Sequence, residues 1–100
     1  MTQFKKVASS AEIVFIDPRV DGWECLMTGV KPGIEVIIIN PKEDGVEQIT
    51  TVLQWRHGVT AAHIVAQGSP GCLYLGNCRL CLDTLDYYAW QMHEWFTNPP

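Results

Sequence analysis

One repeat constrains the fold of this chain more than any other feature. Ile13-Val14-Phe15-Ile16-Asp17-Pro18-Arg19-Val20-Asp21-Gly22-Trp23-Glu24 lies over Val36-Ile37-Ile38-Ile39-Asn40-Pro41-Lys42-Glu43-Asp44-Gly45-Val46-Glu47 without a gap, at an offset of 23 residues. Each copy holds four consecutive apolar residues, an Asx-Pro turn, a basic residue, and then Asp-Gly-x-Glu. Uninterrupted apolar runs belong to strands covered on both faces, as parallel strands in α/β proteins are. Asp21 with Glu24, and Asp44 with Glu47, have the spacing of a capping box, with carboxylates suited to the positive end of a helix. The repeat therefore predicts two successive βα units.

Helical periodicity follows each start. Trp23, Leu26, Met27 and Val30 make one apolar stripe, and Val46, Ile49, Leu53 and His57 a second. Gly29 and Pro32-Gly33 end the first helix, and Gly58 the second. A third strand is expected over Ala61 to Ala66. Gly76-Asn77 reads as the two-residue turn of a hairpin. Asp83 then caps a last helix with Leu85, Tyr88, Ala89, Met92 and Phe96 as its stripe, ending before Asn98-Pro99-Pro100. Because parallel crossovers are right-handed, two βα units give strand order 2-1-3 with the first two helices on opposite faces. The expected fold is α/β: a small three-layer sandwich with a parallel sheet, a β-hairpin and a C-terminal helix. It forms a single domain over residues 11–97, after a flexible N-terminus at 1–10.

Composition narrows the partners. Seven Lys and Arg against eleven Asp and Glu give a net charge of −4, with no basic stripe to neutralise phosphates, so nucleic acid is not an expected partner. The two lysines near the start have no apolar stretch behind them, so no secretory signal is expected. No segment approaches the roughly 20 apolar residues that span a bilayer. A cytoplasmic location or leaderless export is the expectation, without membrane contact.

The third strand runs His63-Ile64-Val65-Ala66 into Gln67-Gly68-Ser69-Pro70-Gly71, followed by Cys72-Leu73-Tyr74-Leu75-Gly76-Asn77-Cys78-Arg79-Leu80-Cys81-Leu82. A glycine-rich turn at the carboxyl edge of a parallel sheet is where α/β proteins place their chemistry. This stretch resembles the cyanobacterial domain of unknown function 4347 family, of caspase-like and gingipain-like lineage. That family carries the turn as Ser-His-Gly-Ser-Pro-Gly, and here Ala66 and Gln67 occupy the serine and histidine positions. The resemblance implies the N-terminal half of a caspase-like fold, since the complete fold continues into a fourth core strand bearing the nucleophilic cysteine. This chain reaches Pro100 without such a strand. Catalysis is not expected, because Gln67 cannot exchange a proton near neutral pH.

Other candidates read as structural. His63 is a strand histidine four residues upstream of Gln67, His57 a helix C-cap, and His93 a solvated position. Asp17, Asp21, Asp44 and Glu47 gather at strand ends, and capping accounts for them more simply than a metal, which needs several ligands converging on one loop. Ser69 is expected to satisfy a backbone group. No metal or cofactor is expected. Cys25, on the edge of the first helix's stripe, reads as a small buried hydrophobe. Cys72, Cys78 and Cys81 contain one Cys-x-x-Cys pair, half of the usual zinc set. With Gly76-Asn77 as the loop, Leu75 faces Cys78, Tyr74 faces Arg79, Leu73 faces Leu80 and Cys72 faces Cys81. Cys72 and Cys81 then bond in an oxidising compartment and remain thiols in a reducing one.

Tyr87, Trp90 and Trp95 widen the apolar surface of the last helix. They are interface candidates, with the free edge of the third strand, for a homodimer or a second protein; in the alternative they half-cover the sheet edge. The expected function is a non-catalytic interaction or structural module, a pseudoenzyme of the caspase-like lineage. One alternative is the N-terminal half of a split cysteine peptidase completed by another chain. A further alternative is a small-ligand binder at the strand ends, through Asp17, Asn40, Gln67, Gly68 and Ser69.

Overall fold

A computed structural model describes residues 12–96; the expected flexible segment at 1–10 and the Asn98-Pro99-Pro100 terminus lie outside the described residues. The elements run β1 (Glu12–Ile16), α1 (Trp23–Thr28), β2 (Glu35–Ile38), α2 (Gly45–Gln54), β3 (Ala61–Val65), β4 (Gln67–Ser69), β5 (Cys72–Leu75), β6 (Cys78–Cys81) and α3 (Leu85–His93). The apolar runs of the repeat become the centre of a parallel sheet ordered β2-β1-β3. This is the order that two right-handed crossovers require. Ile13 and Phe15 share one face with Ile39, and α2 lays Val46, Ile49 and Leu53 onto it. Each such fully buried side chain contributes about 1.5–3 kcal/mol.

The opposite face buries Val14 and Ile16 but leaves Ile38 and His63 exposed, and the right-handed connection assigns α1 to it. Here the expectation needs correcting. α1 has six residues and buries none of them, so Leu26 and Met27 are exposed rather than laid on the sheet. Gly22, at φ 78°, is the residue before the helix, and its left-handed turn carries Asp21 out of the capping position; no side chain caps α1. In the second copy the cap forms, with Asp44 Oδ1 accepting the Glu47 N–H at 3.0 Å. α2 ends at Gln54, so His57 is exposed beyond it and neither completes the stripe nor caps the helix. Arg56 ties this end to the first residue of β2, its Nε 2.8 Å from Glu35 Oε1.

After Ala66 the chain does not turn at once. Gln67–Ser69 forms the outer strand of an antiparallel meander ordered β4-β5-β6. The turn lies at Pro70-Gly71, where proline supplies the fixed φ of the first central position and Gly71, at φ 79°, the left-handed second. The next hairpin pairs Leu75 with Cys78, Tyr74 with Arg79, Leu73 with Leu80 and Cys72 with Cys81, the register its two-residue turn predicts. Its inner face adds Leu75 and Cys78 to the core, with Leu73 and Leu80 beside them.

α3 also differs in detail from its sequence reading. Thr84, not Asp83, is its N-cap residue. The Thr84 hydroxyl is already engaged, accepting from the Cys81 N–H at 2.8 Å and donating to the Arg79 carbonyl at 2.9 Å. The side chains turned to the core are Tyr88, Met92 and Trp95, while Leu85, Ala89 and Phe96 are exposed. The stripe is rotated because α3 rests on α2 and β6. Among the described residues no helix is long and apolar enough to cross a membrane.

Candidate functional site

Open α/β sheets receive ligands at the carboxyl ends of their strands. Here those ends receive the tip of the β5–β6 hairpin. Asp17, the first residue after β1, is 1% exposed. Its Oδ2 accepts the Gly76 N–H at 2.9 Å and Arg19 Nη2 at 2.8 Å. Its Oδ1 accepts the Arg19 backbone N–H at 2.9 Å and Nε at 3.0 Å. Arg19 Nη2 also donates to the Gly76 carbonyl, so the tip is held by both its donor and its acceptor. Burial by itself would raise the Asp17 pKa, but the hydrogen bonds from Arg19 and Gly76 outweigh it and hold the carboxyl below its ordinary value.

The other side of the tip meets the loop between β2 and α2. Gly76 bridges to Asp44. The Asn77 N–H donates to the Glu43 carbonyl at 2.9 Å, and Asn77 Nδ2 to the Lys42 carbonyl at 3.0 Å. A Cβ at Gly76 would stand 1.9 Å from the Glu43 oxygen, and φ there is +61°, so glycine is required twice over. Asn40 is the repeat counterpart of Asp17 and makes the same Asx turn, its Oδ1 accepting the Lys42 N–H at 2.9 Å. Gln48 closes that loop, accepting from the Asn40 N–H at 2.8 Å and donating to the Asn40 carbonyl at 2.9 Å.

The five strand-end candidates thus have two settings. Asp17 faces inward, held by Arg19 and Gly76, and Asn40 holds its own loop beside the tip. Gln67, Gly68 and Ser69 pair in β4 with Tyr74, Leu73 and Cys72. Gln67 is exposed. Ser69 Oγ lies 3.0 Å from the Tyr74 hydroxyl, a side-chain partner across the ladder in place of the backbone group expected. Sequence reasoning missed the role of Arg19, whose signal was its place as the basic residue of the repeat. It identified the Gly76-Asn77 turn but not the turn's destination.

Of the thiols, Cys25 is exposed rather than buried as expected, because α1 buries none of its residues, and Cys78 is buried. Burial raises the Cys78 pKa, which favours the poorly nucleophilic protonated thiol. The Tyr88 hydroxyl hydrogen-bonds Cys78 and donates to Asp44 Oδ2 at 3.3 Å; with these partners and its own burial its pKa is raised as well. Cys72 and Cys81 are joined by a disulfide, with Cα atoms 4.0 Å apart. Counting from the turn, theirs is a non-hydrogen-bonded pair, the kind in which strands approach most closely. Cys78 and Cys81 lie on opposite faces of β6, which separates the Cys-x-x-Cys pair. His63 Nε2 lies 3.0 Å from Glu12 Oε1, while His57 and His93 are exposed. Among the described residues no group of three or more His, Cys, Asp or Glu side chains is placed to hold a metal ion.

The three aromatic candidates also separate. Tyr87 is 78% and Trp90 69% exposed. Trp95 is half-buried and donates its indole N–H to Thr50 Oγ1 at 2.7 Å, fastening α3 to α2 rather than facing outward. A family model described as a domain of unknown function (DUF4347) matches residues 13–98. No curated protein and no solved structure matches the chain.

Proposed function

Since the chain belongs to the DUF4347 family, a domain of unknown function, we propose that it is a non-catalytic interaction module, a pseudoenzyme derived from a caspase-like cysteine peptidase domain of cyanobacterial lineage. The observation that carries this reading is the occupation of the strand ends by the chain's own hairpin tip, with Asp17 committed to Arg19 and Gly76. A site closed by a buried carboxylate paired with Arg19 and by a glycine that accepts no side chain offers little room for a scissile peptide. Gln67 supports the same reading, since it stands where the resembled turn has its histidine and offers no titratable group. The thiols support it too: Cys78 is buried and held protonated, and Cys72 and Cys81 are bonded to each other. The docking surface in this reading is the exposed pair Tyr87 and Trp90, two of several exposed large apolar residues, where a second copy or another protein docks.

Two measurements test the proposal together. Mixed fluorogenic peptides and a thiol-reactive peptide inhibitor should give no turnover and no active-site labelling. Turnover that disappears on mutating Cys25 or Cys78 would overturn it. Trp90→Glu should melt within about 0.5 kcal/mol of the parent, as surface substitutions do. A variant that unfolds would make Trp90 a packing residue and remove the docking surface.

A further inference from the structure

Between α2 and α3 lies an open groove of about 400 Å³, lined on one side by Glu47 and Thr50 and on the other by Tyr87, Trp90 and Glu94. Trp95 bonds Thr50 below it, and the Tyr87 ring stands edge-on to Tyr88, with centroids 4.9 Å apart and planes at 90°. Among the described residues no lysine or arginine lines this groove. Glu47 also belongs to a second groove of about 660 Å³ at the start of α2, where Glu43 and Asp44 add carboxylates and Lys42, among the described residues, is the one lysine or arginine in the lining. The two grooves share Glu47, so carboxylates line both, with the aromatic faces in the first.

Flat, exposed aromatic faces beside carboxylates suit a guanidinium, which stacks on an indole or phenol ring and forks onto a carboxylate. A copy of this chain brings a net charge of −4 to the same groove and is repelled by it. We propose that the groove receives an arginine-bearing basic segment of another polypeptide, with Trp90 and Tyr87 stacking on the guanidinium groups and Glu47 and Glu94 pairing with them. This rests on the interaction-module reading and names its partner by chemistry.

The probes are three synthetic ten-residue peptides in which glycine alternates with arginine, lysine or glutamate, titrated into the full chain and followed by amide and indole NMR. The arginine peptide should shift the Trp90 indole N–H and the Tyr87 amide while leaving the Trp95 indole, which is bonded to Thr50, in place. The lysine peptide should bind several-fold more weakly, and the glutamate peptide should not bind. Glu47→Gln with Glu94→Gln keeps the shape of the groove and should weaken the arginine peptide at least tenfold. An arginine peptide that leaves Trp90 unmoved at millimolar concentration overturns the inference, as does one that binds the double variant as tightly as the parent. Light scattering separates this failure from that of the underlying reading. Self-association of the parent that Trp90→Glu abolishes, without peptide binding, would end the basic-partner inference and leave the interaction module standing.

Discussion

Asp17 is the residue on which the strand-end arrangement turns. Four hydrogen bonds from Arg19 and Gly76 converge on its carboxylate. Removing the charge with Asp17→Asn should cost about 2–3 kcal/mol at neutral pH, since bonds to a buried ionised acceptor are the stronger kind. The folded-state pKa lies below the ordinary value. The stabilisation is therefore complete above the unfolded carboxylate pKa of about 4 and is lost as pH falls through the folded value. Denaturant midpoints of parent and variant, measured from pH 7 down to about 2, should converge in acid. A gap that stays constant with pH would mean that the asparagine loses shape rather than charge. Glu35, whose carboxyl is also held low by Arg56, titrates in both proteins and drops out of the difference.

At the scale of elements, the disulfide lies at the open end of the β5–β6 hairpin and closes a loop of sequence separation 9. Chain entropy assigns such a loop about 2.5 kcal/mol. Reduction, or replacement of both cysteines by serine, should lower stability by roughly that amount. Peptide mapping should find Cys78 unbridged. A bridge that includes Cys78 would mean the register has slipped, because Cys78 belongs to the inner face. This register was legible in the sequence, since a two-residue turn fixes every pair behind it. The parallel order was legible as well, because the repeat and the handedness rule left one simple arrangement. β4 was not: Gln67-Gly68-Ser69 has the composition of a turn and becomes a strand only because β5 offers a ladder to it. The cap of α1 failed on a single backbone torsion at Gly22, which no residue spacing reports. The strand-end clamp was hidden for a different reason, since Asp17 and Gly76 stand 59 positions apart and local patterns carry no information about that pairing.

In the whole molecule, the hairpin tip joins the two small sheets at the strand ends, beside the core that Leu75 and Cys78 share with β1 and α2. Three strands with one well-covered face meet only the minimum for independent stability. Gly76→Ala cannot place its Cβ against the Glu43 carbonyl and should expel the tip. The expected result is a loss of about 3 kcal/mol or more, together with hydrogen exchange in which β4 to β6 open before β1 to β3. A single unchanged transition would show that the sheets are joined elsewhere. The same clamp bears on synthesis. A chain leaving the ribosome presents β1 and β2 long before Gly76 emerges, so the parallel strands can pair early while their carboxyl ends stay open to water. Locking waits for the last third of the chain, and until then the nascent sheet depends on whatever shields its unfinished edge in the cell.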